Sequence, residues 1–276
     1  PEIIVSTIAA VEGHSILVSG IGNYIAESQG KVGMAIGNGI GSVVCNTALI
    51  LAISIIFMPI SVNVKDFALK GLLLIAAIGA LFAFSFRGYF PLAGAVVLLL
   101  IFALYIAENI HSARNKTEDE AEGERPSTDK KTIALNILRV VFGAAGIVIG
   151  SQLLVNNGSA IASAWGVSEA IIGVTIVAVG TSLPELATAV TSLLKKQSSM
   201  SLGNVIGANV IDTTLILAVC SFVYGGKLPV LAQNIYLDFP VAMLVTLIAV
   251  IPTIIRKKFS RWQGILMLVI YIAYLI

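Results

Sequence analysis

Two stretches in the second half of the chain put chemistry inside apolar sequence: Thr181-Ser182-Leu183-Pro184-Glu185 and Gly203-Asn204-Val205-Ile206-Gly207-Ala208-Asn209-Val210-Ile211-Asp212. Each combines a carboxylate with helix-breaking residues. Charge in a membrane is expensive, and an ionisable residue there marks a functional site. The first half carries a matching element. Gly37-Asn38-Gly39-Ile40-Gly41-Ser42-Val43-Val44-Cys45-Asn46 aligns without gaps on Gly203 to Asp212, and Pro1-Glu2 matches Pro184-Glu185. Asn38, Ser42 and Asn46 are spaced by four, as are Asn204, Ala208 and Asp212, so a helix presents each set on one face. Gly203, Gly207 and Ala208 form a small-residue face that lets a neighbouring helix approach closely.

The two copies together supply Glu2, Asn46, Glu185 and Asp212, the hydroxyls of Ser42, Thr181 and Ser182, and the carbonyls of interrupted helices. All are oxygen donors, with no Cys or His among them. Hard cations need such a set: Ca2+ takes roughly 6 to 8 oxygens, whereas zinc or copper favours nitrogen or sulfur. Three clustered carboxylates with no Lys or Arg in the motifs are strongly destabilising when empty, so the cage requires occupancy. A divalent ion and several monovalent ions are alternative ways of neutralising it, which is the physical basis of exchange.

The elements that must position these residues are transmembrane helices. Of the 276 residues, 57% are hydrophobic and 12% charged, against about 25% charged in a soluble domain. Apolar runs near 32-58, 67-86, 89-110, 133-155, 160-194, 200-224, 235-255 and 260-276 each approach the roughly 20 residues that cross a bilayer, and 1-30 holds further apolar sequence. They lack the alternation of barrel strands. The expected fold is an all-α bundle of two inverted halves, 1-111 and 133-276, joined by a short charged linker, 112-132. Lys65 with Lys70, the linker, Lys195 with Lys196, and Arg256-Lys257-Lys258-Arg261 fall on alternate connections. The bias of positive residues puts those connections, the linker included, in the cytoplasm and the C-terminus outside. Ser182 to Glu185 also fits a capping box, with the hydroxyl capping a helix and Glu185 at its third position. Cys45 and Cys220 lie in apolar helices and carry little information.

The order of the first half is irregular. Ser15 to Gly30 aligns with Ser151 to Gly166, an element that precedes Pro184-Glu185 in the second half but follows Pro1-Glu2 in the first. A counterpart of residues 167-183 is missing. With the second repeat as template, 15-30 is a displaced first helix, and Gly30 and Lys31 are expected to lie far apart. The irregularity shows in the spacing: Glu2 to Asn46 spans 44 residues, Glu185 to Asp212 only 27.

At these motifs the chain resembles the Ca2+/cation antiporter superfamily, specifically the prokaryotic sodium/calcium exchangers. Gly180 to Glu185 and Gly203 to Asp212 are similar to that family's second alpha-repeat, and the resemblance covers nearly the whole chain. It implies ten membrane helices in two inverted halves and ion sites on helices two, three, seven and eight. By position, Glu2 and Glu185 are similar to the paired central glutamates, flanked by Asn46 and Asp212. Thr181, Ser182 and Ser42 are similar to sodium ligands, with the Ala178 carbonyl in addition. Asn38, Asn204, Gly203, Gly207 and Ala208 support them. The implied mechanism is alternating access, the first two helices sliding across the bundle, by a monomer in the cell membrane with no cofactor beyond the transported Ca2+ and Na+ and no nucleic-acid partner. Ala208 departs from the serine common in the family.

Other classes fit less well. Ca2+/H+ antiport and K+-dependent exchange are close alternatives, a cation channel a remote one. Enzymatic chemistry is not expected, because His14 and His111 lie outside the motifs, near loop or linker ends, where a histidine is expected to be solvated and not catalytic.

Overall fold

The computed structural model describes residues 2-20, 22-57, 62, 64-120, 130-195 and 198-276. Helices dominate, because in lipid each backbone N–H and C=O must find a partner within its own segment. In order they are α1 (Glu2–Ser19), α2 (Tyr24–Cys45), α3 (Ala52–Phe57), α4 (Val64–Ser85), α5 (Leu92–Glu120), α6 (Lys130–Ala164), α7 (Glu169–Ile172), α8 (Ala178–Thr181), α9 (Leu183–Leu194), α10 (Ser198–Ile211), α11 (Leu217–Val223), α12 (Phe239–Arg256) and α13 (Arg261–Leu275). Four π-helical segments interrupt them: Asn46–Leu51, Gly173–Val177, Asp212–Ile216 and Asn234–Asp238. Among the described residues, six helices are long and apolar enough to cross a membrane, or seven if the bent pair Glu169–Thr181 and Leu183–Ser192 counts as one. The core surrounds α2, in which every side chain from Ala35 to Cys45 is buried, while most described side chains of α6 are exposed.

The expected spans agree with these elements except around 155-160. There the expected break is absent, and α6 continues to Ala164 before a turn at Trp165 and Gly166. The linker is partly helical: α5 runs on to Glu120 and α6 begins at Lys130. The remainder of the linker, and Lys196, lie outside the described residues.

The displaced-helix reading of 15-30 is corrected by the structure. Gly30 and Lys31 are consecutive within α2, and residues 15-30 comprise the end of α1, a tight connection and the first turns of α2. Gly20 and Gly22 have φ of +62° and +70° in that connection, a backbone that side chains with a Cβ resist. The extra 17 residues arise because both arms of this hairpin are about two helical turns longer than those of α9 and α10, roughly 12 Å each. Lys31 ties the lengthened hairpin to α7, its ammonium 3.4 Å from Glu12 and 3.3 Å from Glu169. His14, expected in solvent, packs edge-on against Tyr224, the ring centroids 5.7 Å apart.

Two backbone contacts display the inverted relation of the halves. Tyr89–Pro91 (β1), between α4 and α5, pairs antiparallel with Lys227–Pro229 (β2), between α11 and α12. At the other end of α4 and α12, the Val62 N–H donates to the Lys257 carbonyl at 3.3 Å. β1 follows α4 while β2 precedes α12, and Val62 precedes α4 while Lys257 follows α12, so each contact joins the start of one of these helices to the end of the other.

Polar residues repair the breaks. Pro252 within α12 cannot donate to the Ile248 carbonyl one turn earlier. Gln263 of α13 does so instead, its Nε2 donating to Ile248 O at 2.8 Å and to Thr253 Oγ1 at 3.0 Å. Asp238 is fully buried and accepts from Asn234 Nδ2 at 2.8 Å and from the Tyr274 hydroxyl at 2.9 Å, joining α12 to α13.

Helix approach is close where α2 meets the Gly173–Val177 segment and α8. A Cβ on Gly41 would lie 2.8 Å from Ala178 Cβ and 2.8 Å from Val174 Cα, and one on Gly173 would lie 2.7 Å from the Met34 carbonyl oxygen. Neither neighbour can rotate away. Gly41→Ala is expected to cost about 1-3 kcal/mol and to lower the melting temperature in detergent. Gly143→Ala, where nothing lies within 4 Å, is expected to leave it unchanged.

Candidate functional site

The second-half motif forms where a membrane helix breaks. Ser168 caps α7, accepting from the Ile171 N–H at 3.4 Å, and the chain bends by 41° between α8 and α9. Ser182 sits at the bend with φ −81° and ψ 3°. A capping hydroxyl requires extended backbone at its own residue, so the expected capping box does not form. Ser182 Oγ is buried with no well-formed hydrogen bond. The preceding Thr181 hydroxyl lies 2.9 Å from the Val177 carbonyl, 3.3 Å from the Ala178 carbonyl and 3.0 Å from Asn38 Oδ1. The Ala178 carbonyl also accepts the Ser182 N–H at 3.1 Å, so the break does not free it.

The paired helices α2 and α10 bring the repeat residues to the same depth. Asn38 donates to Ser6 Oγ at 2.8 Å and to the Glu2 carbonyl at 3.3 Å, joining α1 to α2. Ser42 lies 3.4 Å from the Thr181 hydroxyl. Asn46 and Asp212 each open a π segment. Such bulges recur at functional sites, because the wide turn redirects side chains. Both amide atoms of Asn46, Asp212 Oδ2 and Glu185 Oε2 are buried without a hydrogen-bond partner. Buried polar atoms without partners cost about 1-3 kcal/mol each, and here several converge on one region.

Glu2, Glu185 and Asp212 line one cavity of about 570 Å³, together with Ile3, Tyr105, Gly203, Asn204, Gly207, Ala208 and Ile211. Glu2 and Glu185 lie close enough to repel, and both repel Asp212. Among the described residues, no Lys, Arg or His lines the cavity. Among the described residues, no three Asp, Glu, His or Cys side chains converge tightly enough to chelate an ion by themselves. An ion here would need the hydroxyl and amide oxygens as well, as the mixed oxygen set permits.

All the sequence-selected residues lie at this level or on the helices that frame it, although their environments differ. Gly37 and Gly41 are packed against the backbone of Ala170 and Val174. Their repeat partners Gly203 and Gly207 instead line the cavity, and a Cβ on Gly207 would meet the Tyr105 hydroxyl at 2.7 Å. Asn204 is exposed and donates to Thr188 at 2.8 Å. Sequence reasoning missed Tyr105, Ser6 and Thr47, the last accepting from Asn209 Nδ2 at 2.8 Å across the two halves. The alignment held a signal for that strut, since Asn209 has Val43 as its partner in the other repeat. For Tyr105 there was none.

Broken helices, inverted halves and one cavity lined by three carboxylates define a membrane carrier of cations. The family model described as sodium/calcium exchanger protein matches residues 1-110 and 135-276. The chain belongs to that family. It is 34% identical over 242 residues to the uncharacterized membrane protein MJ0091 of Methanocaldococcus jannaschii, covering 87% of this chain and 75% of the relative. Sodium/calcium exchanger MaX1 of Methanosarcina acetivorans is 35% identical over 143 residues, 52% of this chain and 40% of MaX1. A structure of the sodium-calcium exchanger NCX_Mj soaked with Na+ and Sr2+ superposes with a TM-score of 0.68 at 31% identity, covering 99% of this chain and 85% of that one.

Crowded carboxylates predict a stability change of definite sign. Glu185→Gln removes one of three repelling charges while keeping the side-chain volume. In chelator and without sodium it is expected to stabilise the protein by about 1-3 kcal/mol, read as a rise of a few degrees in the unfolding midpoint.

Proposed function

We propose that this protein is a secondary antiporter that exchanges Na+ for Ca2+ across the cell membrane by alternating access. One observation carries the reading: three carboxylates from the two halves share a cavity that, among the described residues, offers them no cationic side chain. Ca2+ is held by Glu2, Glu185, Asp212 and Asn46, and Na+ by these together with Ser42, Thr181 and Ser182. The Ala178 carbonyl contributes its second lone pair. Asn38 orients Thr181, and Gly203, Gly207, Ala208 and Asn204 form the wall along which ions pass.

Neutralisation drives the exchange. Either one divalent ion or several sodium ions relieve the carboxylate repulsion, and the empty cage resists crossing the membrane because its charge remains uncompensated. The sequence halves 1-111 and 133-276 each contribute one wall, so a single chain completes the site. The linker 112-132 faces the cytoplasm and the C-terminus faces outside. In support, the connections bearing Arg87 and Lys227 meet at one end through the β1–β2 pair. The Lys257 connection lies at the other.

Reconstituted vesicles test the function. Radioactive Ca2+ uptake is expected to follow an imposed outward Na+ gradient, without a K+ requirement and without acidifying exchange. Uptake driven only by a proton gradient, uptake that needs K+, or conductance independent of any counter-ion gradient would each replace the Na+/Ca2+ reading. Glu185→Gln is expected to abolish the uptake and to remove the thermal stabilisation that Ca2+ confers on the unmodified protein, since bound ligand stabilises in proportion to its occupancy. Sidedness is checked separately. Ser127→Cys is expected to react with an impermeant maleimide only from the cytoplasmic face, and reaction from outside would invert the topology.

A further inference from the structure

The connection between α12 and α13 carries cations that ion exchange does not use. Arg256, Lys257, Lys258 and Arg261 are all exposed on one tight turn. No Asp or Glu occurs from Phe239 to Ile276, and among the described residues no carboxylate pairs with any of the four. Apolar surface adjoins them. Ile255 is 74% and Trp262 41% exposed, and the Arg256 guanidinium lies over the Trp262 ring, 5.7 Å from its centroid, across the turn. Tryptophan at a helix end favours the boundary between acyl chains and headgroups.

The bias that orients membrane proteins counts cations near helix ends and needs no fixed backbone. This turn is fixed. Phe259 is fully buried, its ring edge-on to Phe67 at 5.4 Å. The Ser260 N–H donates to Gln263 Oε1 at 2.8 Å, and the Lys257 carbonyl accepts from the Val62 N–H at 3.3 Å. Lys257 ends α12 with φ 58° and ψ 15°, and it is the sole non-glycine residue of positive φ among the described residues. Glycine takes that position at least cost. A side chain with a Cβ is strained there, and strain of this kind concentrates where a site uses the residue that bears it.

We propose that this turn binds the headgroup of an anionic phospholipid, with Lys257, Lys258 and Arg261 around the phosphate and the upper acyl chain against Ile255 and Trp262. Anionic headgroups are drawn to clusters of Lys and Arg beside a membrane helix. The apolar flank selects a lipid over a soluble phosphate, because a free anion gains nothing from Ile255 or Trp262. The pinned backbone reduces the ordering that binding must impose. This site is independent of the ion cage and stands whether or not Na+ drives Ca2+ uptake.

Trp262 reports on the site directly. Trp165→Phe leaves it as the only tryptophan, and this full chain is reconstituted in phosphatidylcholine vesicles. They contain a minor fraction of phosphatidylglycerol brominated high on its acyl chains, or the same fraction of phosphatidylcholine so brominated. Both leaflets hold the lipid, so sidedness does not enter. Brominated phosphatidylglycerol is expected to quench Trp262 more strongly, and high salt to remove the difference. Lys257→Gly relieves the strained backbone and is expected to melt no lower than its parent. It is nevertheless expected to need about fivefold more phosphatidylglycerol for half-maximal quenching, whereas Lys257→Arg keeps the preference. Equal quenching by the two lipids overturns the site, as does a preference that survives when Lys257→Gly, Lys258→Gln and Arg261→Gln are combined. A lower melting point for Lys257→Gly makes that lysine structural and overturns its place in the site. Loss of the preference to equimolar inorganic phosphate overturns the lipid in favour of a soluble anion.

Discussion

The molecule is arranged around three carboxylates, Glu2 and Asp212 buried and Glu185 half-buried, that share one cavity in which, among the described residues, no side chain is cationic. Glu2, Glu185 and Asp212 repel one another in a low-dielectric setting, where each charge interacts far more strongly than in water. A soluble protein would relieve such a cluster with a nearby Lys or Arg. Here the helices instead carry hydroxyls and amides, so relief must come from ions that enter and leave. In the proposed exchange, the cost of the empty cage gives an ion its binding energy and keeps the unloaded site from crossing freely.

The backbone is shaped to make that cage possible. A continuous α-helix would use its own carbonyls and N–H groups and point side chains outward at fixed angles. The bend at Ser182 and the π segments opening at Asn46 and Asp212 redirect side chains inward. Inverted duplication repeats the device from opposite directions, bringing acids from distant parts of the sequence to one depth. The halves are related but not identical. Gly37 and Gly41 are sealed against α7, whereas Gly203 and Gly207 border the cavity. Asn209 reaches Thr47, while the corresponding Val43 has no amide to offer.

Much of this was legible beforehand. Long apolar runs located the spans, and carboxylates with Gly, Pro and Asn inside those runs pointed to the cavity that Glu2, Glu185 and Asp212 share, because lipid tolerates such residues only with a purpose. Two readings went astray for physical reasons. The capping-box pattern at Ser182 depends on a backbone conformation that residue types do not specify, and the bend leaves the serine near helical dihedrals. The apparent displacement of 15-30 came from aligning apolar sequence whose identities recur by chance. Two added turns on each arm of a hairpin mimic an inserted helix when only spacing is compared. His14 was read as solvated for a similar reason, its partner Tyr224 being distant in sequence.

By itself, the sequence determined that the chain lives in a membrane, which segments cross it, that two copies of one motif exist, and that their donors are hard oxygens. Those properties are local, set by hydropathy over about 20 residues and by residue chemistry. Only the tertiary structure decided that Glu2 shares a cavity with Glu185 and Asp212, and that Asn46 and Ser182 are left without hydrogen-bond partners. Those facts depend on how separate helices dock. Docking is governed by close approach at residues such as Gly41 and Gly173, whose packing partners no local pattern names.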